Sequence, residues 1–451
     1  MSLQKNQIIP LRITSMSHAG EGIGRSACGM AVFVPMSAEG DILSVRIVKV
    51  LSNRAYGIID AIESPSPQRI ENDCPAYRTC GGCSLRHISH EAEMRIKESF
   101  VRENIRRIGK AEITLEPPID CARYARYRNK AAYPVRNVSG RAVSGLFAPR
   151  SHRLAEVRDC LLQPAFFADI TACICNFCNE LGIAAYDEEK HMGILRHIVI
   201  RYAERTGQVM VSAVINANKL PHSDVLLQRL RAVCPNLTTF LLDHNTRRTN
   251  VIGGQKQTVL FGDGFIADEI CGIKVELSAG SFYQVNRDVA ELLYRQALDY
   301  AAPAKDDILL DLYCGTGTIG LSMAHAVREV IGVEISQQAV RDAKRNAQRN
   351  KIENARFLCA DAGEAAKTLA GEGVRPDIVI MDPPRAGADE AARAAICEMN
   401  PGRIVYISCN PATLARDIAY LGERGYRPIR GRTANLFART SHVESVILLS
   451  K

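Results

Sequence analysis

The feature that most constrains the fold is the alternation of short apolar runs with helical stretches over residues 291–451, where strands are expected at 308–313, 329–334, 355–359, 377–381, 403–408 and 445–449. Parallel strands need long crossovers, and a helix in each crossover covers one face of the sheet, so this pattern predicts a doubly wound α/β domain. Such sheets bind ligands outside the carboxyl ends of their strands. A chain of 451 residues also exceeds what one hydrophobic core supports, so further domains are expected upstream.

Residues 1–62 read as a small β-barrel, with strands over 8–14, 31–35 and 42–50 and a glycine-rich turn, Gly20-x-Gly22-x-Gly24. That spacing falls short of a dinucleotide fingerprint, which opens a helix after a strand and places its third glycine three residues on. Small barrels bind single-stranded nucleic acid or serve as plain structural modules. A linker-like run, Glu63-Ser-Pro-Ser-Pro-Gln68, leads into a mixed α+β region over 63–290. This region holds a cysteine cluster, a helix over 90–108 with charges on one face, and strands near 196–203 and 209–216.

A hydrophobic content of 47% and a charged content of 24% are those of an ordinary globular protein. No uninterrupted apolar stretch reaches the roughly 18 residues of a membrane span, and the start lacks the apolar core of a signal peptide, so a cytoplasmic protein without membrane contact is expected. The net charge of +8 suits a polyanionic partner but is modest for this length. In the cytoplasm the 15 cysteines stay reduced unless they bind metal or do chemistry.

The first chemical motif is Asp311-Leu-Tyr-Cys-Gly315-Thr-Gly317-Thr-Ile-Gly320, between an expected strand and a helical run. Its glycines allow a tight turn at the strand's carboxyl end, and Glu334 closes the following strand where it can accept from a ribose diol. A nicotinamide-binding fold competes for this reading; the DxxCGxGxxG spacing and a further acid, Asp361, at the end of the next strand favour a methyltransferase. Asp382-Pro383-Pro384-Arg385 follows another strand, and its prolines stiffen the chain that carries the aspartate. Asp-Pro-Pro followed by an aromatic would resemble amino-group methyltransferases acting on adenine, but Arg385 stands in the aromatic's place. In Ser408-Cys409-Asn410-Pro411, the asparagine is a good helix N-cap and the proline a good first helical residue. Cys409 therefore lies at a helix N-terminus, where the partial positive charge favours thiolate.

Together with Ser281-Phe-Tyr-Gln284-Val-Asn286 and His442-Val-Glu444, these motifs resemble the RNA 5-methyluridine methyltransferase family over nearly the whole chain. The family commonly has Phe-Phe-Gln where this chain has Phe-Tyr-Gln. The resemblance implies a Rossmann-like methyltransferase domain over 291–451, with Gln284, Tyr313, Thr318, Glu334, Asp361 and Asp382 around S-adenosylmethionine, Asp382 also near the target base, Cys409 as nucleophile and Glu444 as base. Those residue types suit the chemistry. C5 of uracil is too weak a carbon nucleophile to take a methyl group unaided, so a thiolate must add to C6, and a carboxylate must later remove the C5 proton.

Cys74, Cys80 and Cys83 sit in a glycine-containing loop and Cys160 follows 77 residues later; four thiolates there suit either zinc or an iron–sulfur cluster. The resemblance favours a [4Fe-4S] cluster, as in the branch with an N-terminal TRAM barrel, which residues 1–62 resemble through their Gly-Glu-Gly-Ile-Gly-Arg run. Cys173, Cys175 and Cys178 fall on an apolar helix and read as core. Arg123-Tyr-Ala-Arg126-Tyr-Arg128-Asn-Lys130 interleaves cations with tyrosines, as an RNA surface would, or as a basic strand with packed tyrosines would. The implied substrate is a single-stranded or loop uridine of 23S ribosomal RNA, met by a monomer without an obligate protein partner. A tRNA uridine methyltransferase and a catalytically inactive ribosome assembly factor are the competing readings; the second would carry damaged motifs.

Overall fold

The computed structural model describes residues 3–254 and 256–451. Its C-terminal sheet has eight strands in the order Ala355–Cys359, Glu329–Glu334, Ile308–Leu312, Ile378–Met381, Arg403–Ser408, Glu444–Ser450, Arg427–Ala434 and Thr114–Leu115. The first five are parallel, and Glu444–Ser450 runs antiparallel between Arg403–Ser408 and Arg427–Ala434. Side chains alternate faces along each strand. Leu309, Val330, Ile380, Val405 and Val446 therefore enter one core with helix Arg287–Ala301, while Leu310, Ile331, Val379, Ile404 and Ile447 enter another with helices Ala362–Gly371 and Pro411–Gly422. With both faces covered, polar groups are left to the carboxyl edge. The strand order reverses there between Ile308–Leu312 and Ile378–Met381, which opens a crevice.

Five N-terminal strands close a barrel: Ile8–Met16, Glu21–Arg25, Ala31–Pro35, Ile42–Val50 and Arg54–Ser64. The glycine run differs from the turn expected of it, because only Gly20 turns, at φ 76°, while Gly22 and Gly24 lie in a strand. A Cβ on Gly22 would stand 2.0 Å from Ser37 Oγ, and one on Gly24 2.4 Å from the Arg12 carbonyl. The glycines serve close packing inside the barrel.

Between barrel and sheet runs a seven-stranded sheet, Lys130–Val138 to Lys256–Phe261, backed by helices Phe166–Glu180 and Ser223–Val233. Cys175 and Cys178 are buried in its core, as expected. Helix His90–Arg107 joins the parts: Ala92, Ile96 and Phe100 pack into the barrel core, and Val101 and Ile105 into the C-terminal one. With Thr114–Leu115 as edge strand, residues from 101 to 115 pack with the C-terminal domain although they precede it in sequence. No helix among the described residues is long and apolar enough to cross a membrane.

Candidate active site

The loop after Ile308–Leu312 takes left-handed backbone at Tyr313, Gly315 and Gly317, which turns the chain back so that helix Thr318–Met323 starts against the sheet edge. Asp311 holds this turn from below. Its Oδ2 accepts the Gly320 N–H at 2.9 Å, and a Cβ on Gly320 would come within 2.8 Å of the same oxygen. Burial raises the Asp311 carboxyl to about 7, and its Oδ1 has no protein partner. Glu334 ties the neighbouring strand to the loop, accepting from Gly315 N–H at 3.1 Å and Ser336 N–H at 2.7 Å. Asp361 caps helix Ala362–Gly371 with Oδ1, which leaves Oδ2 without a protein donor.

Above this edge lies a cavity of about 760 Å³. Gln284, Tyr313, Thr318, Glu334, Asp361 and Asp382 line it, and so do Cys409 and Glu444. The sheet register accounts for the last two. Ser408 pairs with Ser445 across antiparallel strands, so the next residue on each, Cys409 and Glu444, comes to the same end of the sheet. Asn410 caps the following helix, accepting the Ala412 N–H at 3.1 Å and donating Nδ2 to the Arg385 carbonyl at 2.9 Å. The Asp-Pro-Pro-Arg loop and the cysteine turn are thereby locked together.

Electrostatics depart from the expectation for Cys409. Burial, then the charges of Glu444 and Asp382, raise its thiol to about 11, with Arg385 the opposing influence. The helix N-terminus, expected to favour thiolate, is outweighed. Burial also raises Asp382 and Glu444, and the negative charge of Asp382 adds to the effect on Glu444, so each takes up a proton more readily than a surface carboxyl.

Several lining residues escaped the sequence reading. Tyr294 is buried beside Gln284 and Asp382, Phe437 meets the ring of His442, itself part of the terminal motif, edge to face with centres 5.9 Å apart, and Asp389 accepts the Tyr313 hydroxyl at 3.4 Å. Tyr294 stands among the core positions of helix Arg287–Ala301, and nothing in sequence marks it or Phe437.

A second cavity, of about 140 Å³, is lined by Cys74, Cys80, Cys83 and Cys160 together with Arg86 and Arg128. The structure thus gathers all four cysteines singled out by sequence. Among the described residues no three His, Cys, Asp or Glu side chains stand close enough to hold a metal ion. Burial raises Cys83 to about 12 and also raises Cys80 and Cys160, with mutual charge repulsion adding to it. The basic run proves mostly structural. Arg123 pairs with Glu204 and Asp288, Arg126 with Asp159, and Tyr127 is fully buried with its hydroxyl donating to the Ala438 carbonyl at 2.9 Å.

A family model described as tRNA (uracil-5-)-methyltransferase matches residues 231–451, and one described as the TRAM domain matches residues 3–59. An uncharacterized RNA methyltransferase of Halalkalibacterium halodurans is 40% identical over 449 residues, covering 99% of this chain and 98% of its own. Another, of Caldanaerobacter subterraneus subsp. tengcongensis, is 38% identical over 439 residues and 97% of both chains. The crystal structure of Pyrococcus abyssi tRNA (uracil-54, C5)-methyltransferase in complex with S-adenosyl-L-homocysteine matches with a TM-score of 0.77 at 25% identity, over 98% of this chain and 100% of that one. Likeness of this extent, through barrel and catalytic sheet alike, makes the chain a member of the TRAM-containing, S-adenosylmethionine-dependent RNA (uracil-5-)-methyltransferase family.

Proposed function

We propose that this enzyme methylates C5 of a specific uridine, in a single-stranded or looped stretch of 23S ribosomal RNA, as a cytoplasmic monomer. The observation that carries the chemistry is the convergence of Cys409, Asp382 and Glu444 on the cavity that also holds the glycine loop. Gln284, Tyr313, Thr318, Glu334 and Asp361 hold S-adenosylmethionine, with Glu334 on the ribose diol. The uridine leaves its stack to enter. The Cys409 sulfur adds to C6, its proton passing to water as the bond forms, and C5 takes the methyl group from the sulfonium, whose S–CH3 bond breaks to release S-adenosylhomocysteine. Glu444 then takes the C5 proton, and the electron pair re-forms the C5–C6 double bond as sulfur departs. Burial suits Glu444 to this step, since a carboxylate with raised proton affinity is the stronger base. A cytoplasmic ribosome assembly factor without catalysis fits poorly, because every expected chemical residue faces one cavity.

Ribosomal RNA is preferred because an N-terminal barrel accompanies the four-cysteine loop, the combination resembling the large-subunit branch. Transfer RNA is the second reading, favoured by the description of the matched family model and by the activity for which the Pyrococcus abyssi enzyme is named. Mapping 5-methyluridine in total RNA from cells with and without the gene decides between them. A mark lost from 23S RNA is expected, and one lost only from tRNA overturns the choice.

Cys74, Cys80, Cys83 and Cys160 fit a [4Fe-4S] cluster, a larger object than a single ion, and Arg86 and Arg128 offset the negative charge of four thiolates. Held by these four thiolates, a cluster would tie loop 74–83 to Cys160. Protein purified without oxygen should be brown and carry about four irons per chain. One zinc per chain in a colourless, active preparation rules the cluster out.

Glu444→Gln should still permit addition of Cys409 and methyl transfer, because both precede proton removal. Mixed with RNA and labelled cofactor, it should give a slow-migrating complex whose RNA carries the label, while Cys409→Ala should give neither complex nor product. Full turnover by Glu444→Gln with no trapped species removes it from the mechanism.

In the free enzyme, a thiol raised to about 11 is mostly protonated at neutral pH. Alkylation of Cys409 by iodoacetamide, followed by peptide mass, should keep rising above the pH of about 8.5 where an ordinary thiol is half ionised. Glu444→Gln removes a charge that raises the thiol, so the midpoint should move down. An unchanged midpoint would falsify the electrostatic coupling.

A further inference from the structure

The segment 435–443 delivers Phe437 and His442 to the cavity and ends at Glu444, yet residues far upstream hold it. Lys97, in helix His90–Arg107, is fully buried. Its ammonium donates to Glu93 Oε1 at 2.7 Å, to Asn435 Oδ1 at 2.8 Å and to the Phe437 carbonyl at 3.0 Å. Three acceptors use all three of its protons, so the group is fixed like a tripod. Glu93, equally buried, accepts the Arg439 N–H at 2.9 Å on the same oxygen. Ser84 adds a second grip, accepting the Ser441 N–H at 2.8 Å, while the Ser84 and Leu85 N–H groups donate to the Arg439 carbonyl at 3.1 Å.

A wholly buried ion pair is a weak source of stability, because desolvation of both charges offsets their attraction and apolar packing does as well. What Lys97 and Glu93 provide that apolar side chains cannot is direction: hydrogen bonds fix Asn435, Phe437 and Arg439 in azimuth as well as depth. We propose that Lys97 is a positioning residue for the methylation. By fixing the backbone from Asn435 to Arg439 it sets where Phe437 and His442 stand against the incoming base, and so the geometry in which Cys409 and Glu444 meet it. The proposal rests on the chemical roles given above to those two residues.

The test compares the full-length wild type, Lys97→Met and Asn435→Leu. Single-turnover methyl transfer is measured from labelled cofactor to RNA extracted from cells lacking the gene, per molecule able to bind cofactor as counted by calorimetry. Lys97→Met should lower the rate constant per competent molecule roughly tenfold or more, the scale of a small misplacement at a reacting centre, with KM for S-adenosylmethionine unchanged. Asn435→Leu removes one leg of the tripod and leaves the Lys97–Glu93 pair intact, so it should act in the same direction and less. A native rate constant per competent molecule in Lys97→Met, with only fewer competent molecules, marks a merely structural residue and overturns the proposal. Should Lys97→Met fail to fold, a native rate constant in Asn435→Leu overturns it equally. Wild type is also mixed with RNA from such cells grown in 5-fluorouracil. Absence of a covalent adduct there defeats the Cys409 chemistry, while the rate ratios still judge Lys97.

Discussion

Covering both faces of the parallel sheet is the constraint on which the rest depends. Once Leu309 and Leu310, Ile380 and Val379, and Val405 and Ile404 have been sent to opposite cores, the strands have no solvated face on which to display chemistry. Polar groups are driven to the strand ends, and the reversal of strand order keeps the helices from closing over that edge. The buried Asp311 carboxylate makes the edge rigid, since its bond to Gly320 joins the end of one strand to the start of the next helix. The single antiparallel insertion, Glu444–Ser450, then adds a carboxylate beside Cys409 that an all-parallel sheet would have placed at the far end.

Burial gives the cavity an unusual resting state. A thiol and two carboxyls share a poorly solvated space in which each negative charge disfavours the others, and all three hold protons more tightly than at a surface. Such a site is protected from casual alkylation and oxidation of its cysteine, because reactivity follows the thiolate.

The chemical residues were legible in sequence because they stand in short motifs at strand ends, where a fold of this class exposes them; every one faces the cavity. Legibility failed where a residue's meaning depends on what folds against it. The charged face of helix His90–Arg107 reads as solvated, yet Glu93 and Lys97 on it are buried, because that helix lies between two cores and must cover a third surface with its polar stripe. The glycines of the barrel signal a turn, but only their neighbours Ser37 and Arg12 explain two of them. The cations near Arg126 suggest RNA until Asp159, Glu204 and Asp288 arrive from distant segments to neutralise them.

Lys97 and Asn435 are separated by 338 positions in the chain. The bond from Lys97 to Glu93 is local to the helix, but the other two acceptors lie 338 and 340 positions on. Joining segments so remote is slow, because the entropy of closing the loop is lost before any contact repays it. Until then the helix cannot settle between its two cores without sequestering an unsatisfied ammonium.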